Sequence, residues 1–263
     1  MEAINGGSGS DTLIGPDKGA AFNVTSSAAG TVAGTGITGA FEFMCVENIQ
    51  AGAGADSLTM EKHAGPVTLD LQNNVVTGLI AFSGIESFTG SGSTADKIIG
   101  RETGSSFKLT GTNSGTIDGK NFKAFENMLG GSGNDSFAFS GSAALSGSID
   151  GGTGSNTLDY SSYSTAVTFN LLASSSTGLI GFSNINTLVG SNSADTIIGK
   201  DEDTTFVITG NNSGSVNGIL FSSVENLQGG SGNDKFILSG SGKITGTVDG
   251  KGGTNTLDYS GYG

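Results

Sequence analysis

The chain has 263 residues, of which 47 are glycine and only 2 are proline, and 35% of its residues are hydrophobic, which is lean for a globular domain. Its 24 acidic residues outweigh 11 basic ones to give a net charge of −13, which excludes the basic footprint of a nucleic-acid-binding protein and fits a soluble or cation-binding chain. The single cysteine, Cys45, excludes an internal disulfide, and without a stretch of about 18 apolar residues we expect no membrane insertion.

Short apolar runs follow one another along the chain, separated by breaks rich in glycine, serine and asparagine. The first run is "FNV" at 22–24, and similar runs stand at 107–109, 137–139 and 206–208. In "FKL", Phe107 and Leu109 share one face of an extended chain and Lys108 takes the other. This period of two, with a break about every 8 to 12 residues, predicts short β-strands joined by tight turns.

A long unit recurs along the chain. Residues 77–141 match residues 177–240 position by position apart from one inserted residue, and the opening residues carry the same segment again. We therefore interpret residues 1–263 as a single β-solenoid built of three copies, at about 6–55, 56–134 and 135–233, with a partial fourth at 234–263.

A shorter period lies inside the long unit. A phrase of hydrophobe, Glu or Asn, polar residue and hydrophobe begins at Val46, Ile85, Phe125, Ile185 and Val224. The intervals between these phrases are close to two or three steps of about 20 residues, and the second copy lacks one such step. A stack tolerates this loss because each coil contacts only its neighbours.

These patterns predict an all-β fold, a parallel β-helix (β-solenoid) of about 13 coils of about 20 residues. At ~4.8 Å per strand, the rod would be roughly 60 Å long. A narrow core also explains the low hydrophobic content. We expect one inward stack of the hydrophobic residues that follow the turn phrases: Leu13, Leu58, Ile98, Phe137, Leu158, Ile197, Phe236 and Leu257.

The turn phrases carry a family resemblance. "GGSGNDSFA" at 130–138 and "GGSGNDKFI" at 229–237 resemble the nonapeptide G-G-x-G-x-D-x-hydrophobe-x of RTX, the calcium-binding β-roll family. The wider unit, with "TLDYSSYSTAVTFNL" and "VENLQGGSGNDKF", resembles the β-strand repeats of very large bacterial surface and secreted proteins, which are adhesin-like. The RTX resemblance implies Ca²⁺ as a ligand, held by turn aspartates of stacked coils. The candidate ligands are Asp135, Asp234, Asp150, Asp249, Asp11 and Asp56.

A purely structural role for the same turns remains open. The nonapeptide is not repeated in tandem here, and in the turn phrases that follow those of Asp135 and Asp234 the same place is held by the neutral Asn156 and Asn255. A calcium site needs several oxygens with net negative charge, so an amide at that position weakens it. A glycine-rich corner whose Asp hydrogen-bonds the turn needs no metal.

No unique catalytic constellation is expected. His63 is the only histidine, Arg101 is the only arginine, and nearly every other candidate residue is repeated between copies. We therefore expect a structural or adhesive module without enzyme activity. Two alternatives remain: a calcium-dependent secreted domain that folds on binding Ca²⁺, and, with less support, a carbohydrate-active β-helix enzyme.

The setting and the partners are also expectations. The start lacks the basic and apolar regions of a signal peptide, and the chain stops inside a repeat, so we expect a fragment of a longer extracellular or cell-surface protein. Terminal coils of a solenoid expose unpaired strands, which favours end-to-end self-association into a filament. Tyrosines in "LDYSSY" and "LDYSGY" leave room for a cell-surface or matrix polysaccharide as a second partner.

Overall fold

The computed structural model describes residues 3–35, 37 and 39–263, and within them it contains strands and no helix. The chain forms the β-solenoid that its alternating pattern predicts, so the fold class is confirmed. The described residues also contain no helix long and apolar enough to cross a membrane.

The strands are short, and most have three to seven residues. In chain order they are β1 (Ala3–Asn5), β2 (Thr12–Ile14), β3 (Ala20–Ser26), β4 (Ala29–Gly34), β5 (Phe41–Met44), β6 (Asn48–Gln50), β7 (Ser57–Thr59), β8 (Thr68–Asp70), β9 (Val75–Val76), β10 (Ala81–Ser83), β11 (Ser87–Thr89), β12 (Lys97–Ile99), β13 (Ser106–Gly111), β14 (Ser114–Ile117), β15 (Lys120–Lys123), β16 (Asn127–Gly131), β17 (Ser136–Gly141), β18 (Leu145–Gly152), β19 (Thr157–Tyr163), β20 (Thr168–Asn170), β21 (Ser175–Ser176), β22 (Leu179–Ser183), β23 (Thr187–Val189), β24 (Thr196–Ile198), β25 (Thr205–Gly210), β26 (Ser213–Val216), β27 (Ile219–Ser222), β28 (Asn226–Gln228), β29 (Lys235–Gly240), β30 (Val248–Asp249) and β31 (Thr256–Tyr262).

The chain alternates between two long faces. The first face is one 17-stranded sheet, and its pairings run in the order β1-β5-β4-β3-β7-β11-β15-β14-β13-β17-β19-β23-β27-β26-β25-β29-β31. The second face consists of a 3-stranded sheet, β2-β6-β10, and an 11-stranded sheet, β9-β8-β12-β16-β18-β22-β21-β20-β24-β28-β30. Val76, at the end of β9, forms an isolated antiparallel bridge with Leu79, which lies two residues before β10.

Antiparallel meanders interrupt the parallel stacking at regular places. In the first face, β13 lies two strand positions beyond β15, and the chain returns through β14 to fill the gap. The same reversal occurs at β3–β5 and β25–β27, and in the second face at β20–β22. The backbones of β13 and β14 lie so close together at Gly115 that a Cβ there would collide with the Lys108 carbonyl oxygen, so this position requires glycine. A plain parallel coil does not describe these segments.

The meanders give the stack two step lengths. A step is the number of residues between two positions that pair in neighbouring strands. The step is short where no meander lies between the two strands, as between Ser136 and Thr157 and between Lys235 and Thr256. Other parallel pairs have a longer step, as from Thr157 to Thr187. The predicted coil of about 20 residues thus occurs only at the short steps, and the count of 13 coils and the copy boundaries stay predictions. Seventeen strands at ~4.8 Å make the first face about 75–80 Å long, more than the predicted length of about 60 Å.

The core lies between the two faces and is lined by their inward side chains. Aromatic rings stack along the first face, with centroids 4.7 Å apart for Phe107 and Phe137 and 4.8 Å apart for Phe206 and Phe236. The single inward stack expected from the sequence is wrong in one respect, because its members divide between the faces. Leu58, Phe137, Leu158, Phe236 and Leu257 belong to the first face, and Leu13, Ile98 and Ile197 belong to the second.

Candidate functional site

The acidic residues of the turn phrases lie at the corners of the solenoid, each directly before a strand. At one such corner, Asp96 precedes β12, and its Oδ1 accepts a hydrogen bond from the backbone N–H of Val67, at 2.7 Å, at the corner below. The backbone N–H of Asp96 in turn donates to Oε2 of Glu126, 3.1 Å away, which precedes β16 one strand further on. Each corner side chain therefore satisfies the corner amide of its neighbour.

The same hydrogen bond recurs along both faces, with N···O distances of 2.6–3.1 Å. We call the residues that accept it the corner acceptors. They are Glu47, Asp56, Glu86, Asp96, Glu126, Asp135, Asn156, Asn186, Asp195, Glu225, Asp234 and Asn255.

The corner acceptors unite two motifs that differ in sequence. The glycine-rich phrase supplies Asp135 and the "FENM" phrase supplies Glu126, yet both side chains accept a corner N–H. The neighbouring Asn127 adds to the effect, because its Nδ2 donates to the Asp96 carbonyl oxygen at 3.3 Å. A buried backbone N–H without a partner is costly, so these side chains stabilise corners where the strand ladder stops. Sequence reasoning missed this equivalence; the signal that could have revealed it is the shared position, one residue before each strand.

The four predicted calcium ligands of the turn phrases are all corner residues. Oδ1 of Asp135 accepts from the Ser105 N–H at 2.7 Å and Oδ1 of Asp234 from the Thr204 N–H at 2.9 Å. Asp56 makes the same bond to Ala20 at 2.6 Å. Asp11 lies at the first corner, where its own N–H donates to Glu47 at 2.9 Å.

The other two predicted ligands lie in the second face. Asp150 accepts from the Gly152 N–H at 3.0 Å and from Nδ2 of Asn184 at 2.7 Å, and these bonds, that of Asn184 first, lower its pKa. Asp249, at the equivalent position of the next copy, accepts from the Lys251 N–H at 3.0 Å and pairs with the Lys251 ammonium at 2.9 Å. Neither aspartate is a corner acceptor.

This donor set fits backbone capping better than calcium coordination. Calcium takes six to eight oxygens, and the part of the chain that the structure describes contains no group of three or more His, Cys, Asp or Glu side chains placed to hold a metal. Among the same residues, Oδ2 of Asp11, Asp56 and Asp135 is buried without a hydrogen-bond partner, but each belongs to a separate corner. Calcium binding at the six aspartates stays a prediction.

Burial changes the acidity of several corner acceptors. Desolvation raises the pKa of Asp195, with a further rise from the Glu225 charge, although bonds from Val167 and Ser191 oppose it. Burial likewise raises the pKa of Glu126 and of Asp135. The folded protein therefore holds protons on these carboxyls more tightly than the unfolded chain does.

Asp135→Asn should remove part of the pH dependence that follows from these shifts. A raised pKa means that the carboxyl contributes stability at pH values below its ordinary pKa of 3.8, and that this contribution is lost as pH rises through the pKa of the folded state. We expect the melting temperature of the wild type, relative to the Asp135→Asn variant, to fall as pH rises above about 4. Thermal unfolding of both proteins across this range measures it. A difference that does not change with pH would contradict the assignment.

The expected absence of a catalytic site stays a prediction. Several charged side chains that could be considered for catalysis make ion pairs or hydrogen bonds within the fold. Arg101 lies 3.6 Å from the Asp118 carboxylate. In the acidic loop at 200–203, Asp201 accepts from the Ser231 N–H at 3.1 Å and Asp203 from the Asn233 N–H at 2.8 Å. These side chains order a loop against the loop one strand further on.

The tyrosines do not form the single exposed strip that a sugar-binding surface would need. Tyr160 is fully buried and Tyr163 is half-buried, whereas Tyr259 and Tyr262 are exposed. Each "LDYS" phrase instead brings its own two tyrosines together edge to face, with ring centroids 5.2 Å apart in the first pair and 5.8 Å in the second.

Comparison with known proteins adds no assignment. No protein-family model matches the chain, and no curated protein matches it. The function is therefore inferred from the fold and from the hydrogen bonds at its corners.

Proposed function

We propose that the chain is a rigid, rod-like structural and adhesive module of a large extracellular or cell-surface bacterial protein or fibre. The observation that carries this proposal is the 17-stranded sheet, which runs along the whole first face and is accompanied at its corners by the corner acceptors. A continuous ladder of backbone hydrogen bonds, reinforced by side chains in successive coils, resists bending. Such a rod holds what is attached to its ends at a set separation.

The acidic side chains of the repeats make hydrogen bonds within the fold, which favours the role of a spacer over that of an enzyme. Catalysis requires one constellation that is free to act on a substrate. Here the repeated acidic residues accept backbone N–H groups of neighbouring strands, as Asp96 and Glu126 do. The outward positions of the strands are mainly serine, threonine and asparagine, as in β11 and β14. A hydroxyl-rich lateral surface of this kind suits contact with a matrix polysaccharide.

The edges of the first face support end-to-end self-association. By the internal repeat, β1 corresponds to β23 and β31 corresponds to β19, and β19 pairs in parallel with β23, Thr157 opposite Thr187. The outer edge of β31 could therefore accept β1 of a second copy, with Ala3 opposite Thr256. Parallel addition of this kind would lengthen the rod into a filament.

Circular dichroism and small-angle X-ray scattering of the full chain, first with excess chelator and then with millimolar Ca²⁺, test the module. We expect a β-type spectrum in chelator that calcium leaves unchanged, because each corner acceptor already accepts a backbone N–H without a metal. The expected maximum dimension of the monomer is about 80 Å.

Two outcomes would count against this proposal. A disordered chain that becomes β-structured only with calcium would support the calcium-dependent secreted domain, for which the three unpartnered Oδ2 atoms of Asp11, Asp56 and Asp135 would then be the first ligands to examine. A compact particle well below the expected length would remove the basis for a spacer.

A further inference from the structure

A pocket opens on the side of the rod, at the corner between β22 and β23 and away from both ends of the chain. Its lining includes the apolar residues Leu171, Phe182, Ile185 and Ile219. Its volume of about 210 Å³ is below the roughly 300–1,000 Å³ of pockets that hold drug-sized ligands, so it suits an occupant the size of one amino-acid side chain.

The same corner in the preceding repeat is filled by a lysine. Residues 67–141 and 167–240 are equivalent, and we call them the earlier and the later repeat. In the earlier repeat, Nζ of Lys120 donates a hydrogen bond to the carbonyl oxygen of Ile85 at this corner. Phe82, at the same corner, is only 5% exposed. The lysine side chain therefore completes this corner from within the chain.

The later repeat has lost this side chain. Ile219 stands at the position of Lys120, and it has no ammonium group that could reach the Ile185 carbonyl oxygen. Phe182, the counterpart of Phe82, is half-buried rather than buried. The pocket thus lies where the earlier repeat places a lysine side chain.

The surface beside the pocket is also more apolar in the later repeat. Leu172 and Leu220 directly follow the lining residues Leu171 and Ile219 in the chain, and they are 54% and 56% exposed. Their counterparts in the earlier repeat are polar, namely Gln72 and Asn121. Exposed apolar side chains next to a pocket are typical of a surface that contacts another molecule.

The charge of the neighbouring loop favours a cation over an anion. The loop at 200–203 begins with Lys200, which lines the pocket, and continues with three acidic residues, so its net charge is −2. The equivalent loop at 101–104 contains one arginine and one glutamate and is neutral. Lys200 repels a bound cation, but the three carboxylates outnumber it.

We propose that this pocket binds a lysine side chain of a partner polypeptide. The methylene groups of that lysine would pack against Phe182 and Ile219, and its ammonium would donate to the Ile185 carbonyl oxygen, as Lys120 does to Ile85 within the chain. The exposed leucines beside the pocket would contact the polypeptide that carries the lysine. This inference does not depend on the spacer role.

Titration of the full chain with lysine blocked as its N-acetyl N-methylamide tests the site. We expect saturable changes in the amide NMR signals of Phe182, Ile185 and Ile219. Blocked norleucine retains the methylene groups without the ammonium, and blocked glutamate carries the opposite charge. Each should bind roughly tenfold or more weakly, because it lacks the charged hydrogen-bond donor. Equal binding by either probe would overturn the proposal, and so would binding of free butylammonium but not of blocked lysine.

Exchanging the two equivalent residues locates the binding. Ile219→Lys should fill the pocket from within the chain and weaken binding of blocked lysine by roughly tenfold or more. Lys120→Ile should open the corner of the earlier repeat and raise the number of binding sites from one to two. Lys123→Ser is the control: it removes an exposed positive charge and introduces the serine that the later repeat has there, so one site should remain. Unchanged binding by a folded Ile219→Lys variant, or a single site in Lys120→Ile, would overturn the proposal.

Discussion

Tyr160→Ala is expected to lower the free energy of unfolding by about 3–5 kcal/mol, which is the usual cost of truncating a large buried aromatic side chain. The ring of Tyr160 stacks on Phe139 with centroids 4.7 Å apart and contacts Phe169 on the opposite face of the solenoid. Its removal leaves a cavity between the faces, and it leaves the hydroxyl of Ser176 without its partner. Urea unfolding followed by circular dichroism gives the measurement.

The chain contains a matched control for this variant. Tyr259 occupies the same position in the repeat, but it is 53% exposed, so Tyr259→Ala should change the free energy of unfolding by about 0.5 kcal/mol or less. Tyr160→Phe separates the hydroxyl from the ring and should cost about 1–2 kcal/mol. Equal losses for the two alanine variants would mean that the meander β20–β22 does not cover Tyr160 in solution.

Asp195→Ala is expected to cost roughly 2–5 kcal/mol, because it leaves two buried backbone N–H groups without an acceptor. Oδ1 of Asp195 accepts from the Val167 N–H at 2.6 Å, and Oδ2 accepts from the Ser191 N–H at 2.5 Å. The Ser191 hydroxyl, 2.9 Å from Oδ1, also loses its partner. The carboxylate is itself costly to bury, as its raised pKa indicates, so the loss comes from the stranded amides rather than from the charge.

Two further variants distinguish backbone capping from metal binding at this corner. Asp195→Asn retains an acceptor oxygen for the Val167 N–H, just as the natural Asn156 accepts a hydrogen bond from the Asp135 N–H. This variant should therefore recover about half of the loss. Asp17→Ala, at an exposed turn, controls for removal of one negative charge. Measured in chelator by urea unfolding, an Asp195→Ala variant as stable as Asp17→Ala would contradict the capping role.

The strands themselves could be predicted because their signal is local. Alternation in "SFKLTG" places Phe107 and Leu109 on one face whatever their distant partners are, and both are fully buried. The solenoid class could be predicted as well, since a repeated unit that cannot bury its own apolar face must stack on its copies. Glycine-rich corners were also recognisable, because few other residues tolerate their turns.

The role of the corner residues could be predicted only in part. The glycine-rich phrases predict corners or calcium sites, and Asp135 and Asp234 are corner residues. The "FENM" phrase differs from them in sequence, although its Glu126 is their structural equivalent. Its partner, the Asp96 N–H, is distant in the chain, and the two residues become neighbours only when the strands after them pair.

Alternation and turn chemistry act over a few residues, so the short strands, their stacking as a solenoid and the positions of the turns can all be read from the amino-acid sequence. The order of strands within each face, the antiparallel meanders, and which of two identical "LDYS" phrases is buried cannot be read from the sequence and follow from the folded arrangement. Those features depend on which distant segment comes to lie alongside. Tyr160 and Tyr259 have the same local sequence and differ only because β20–β22 covers one of them.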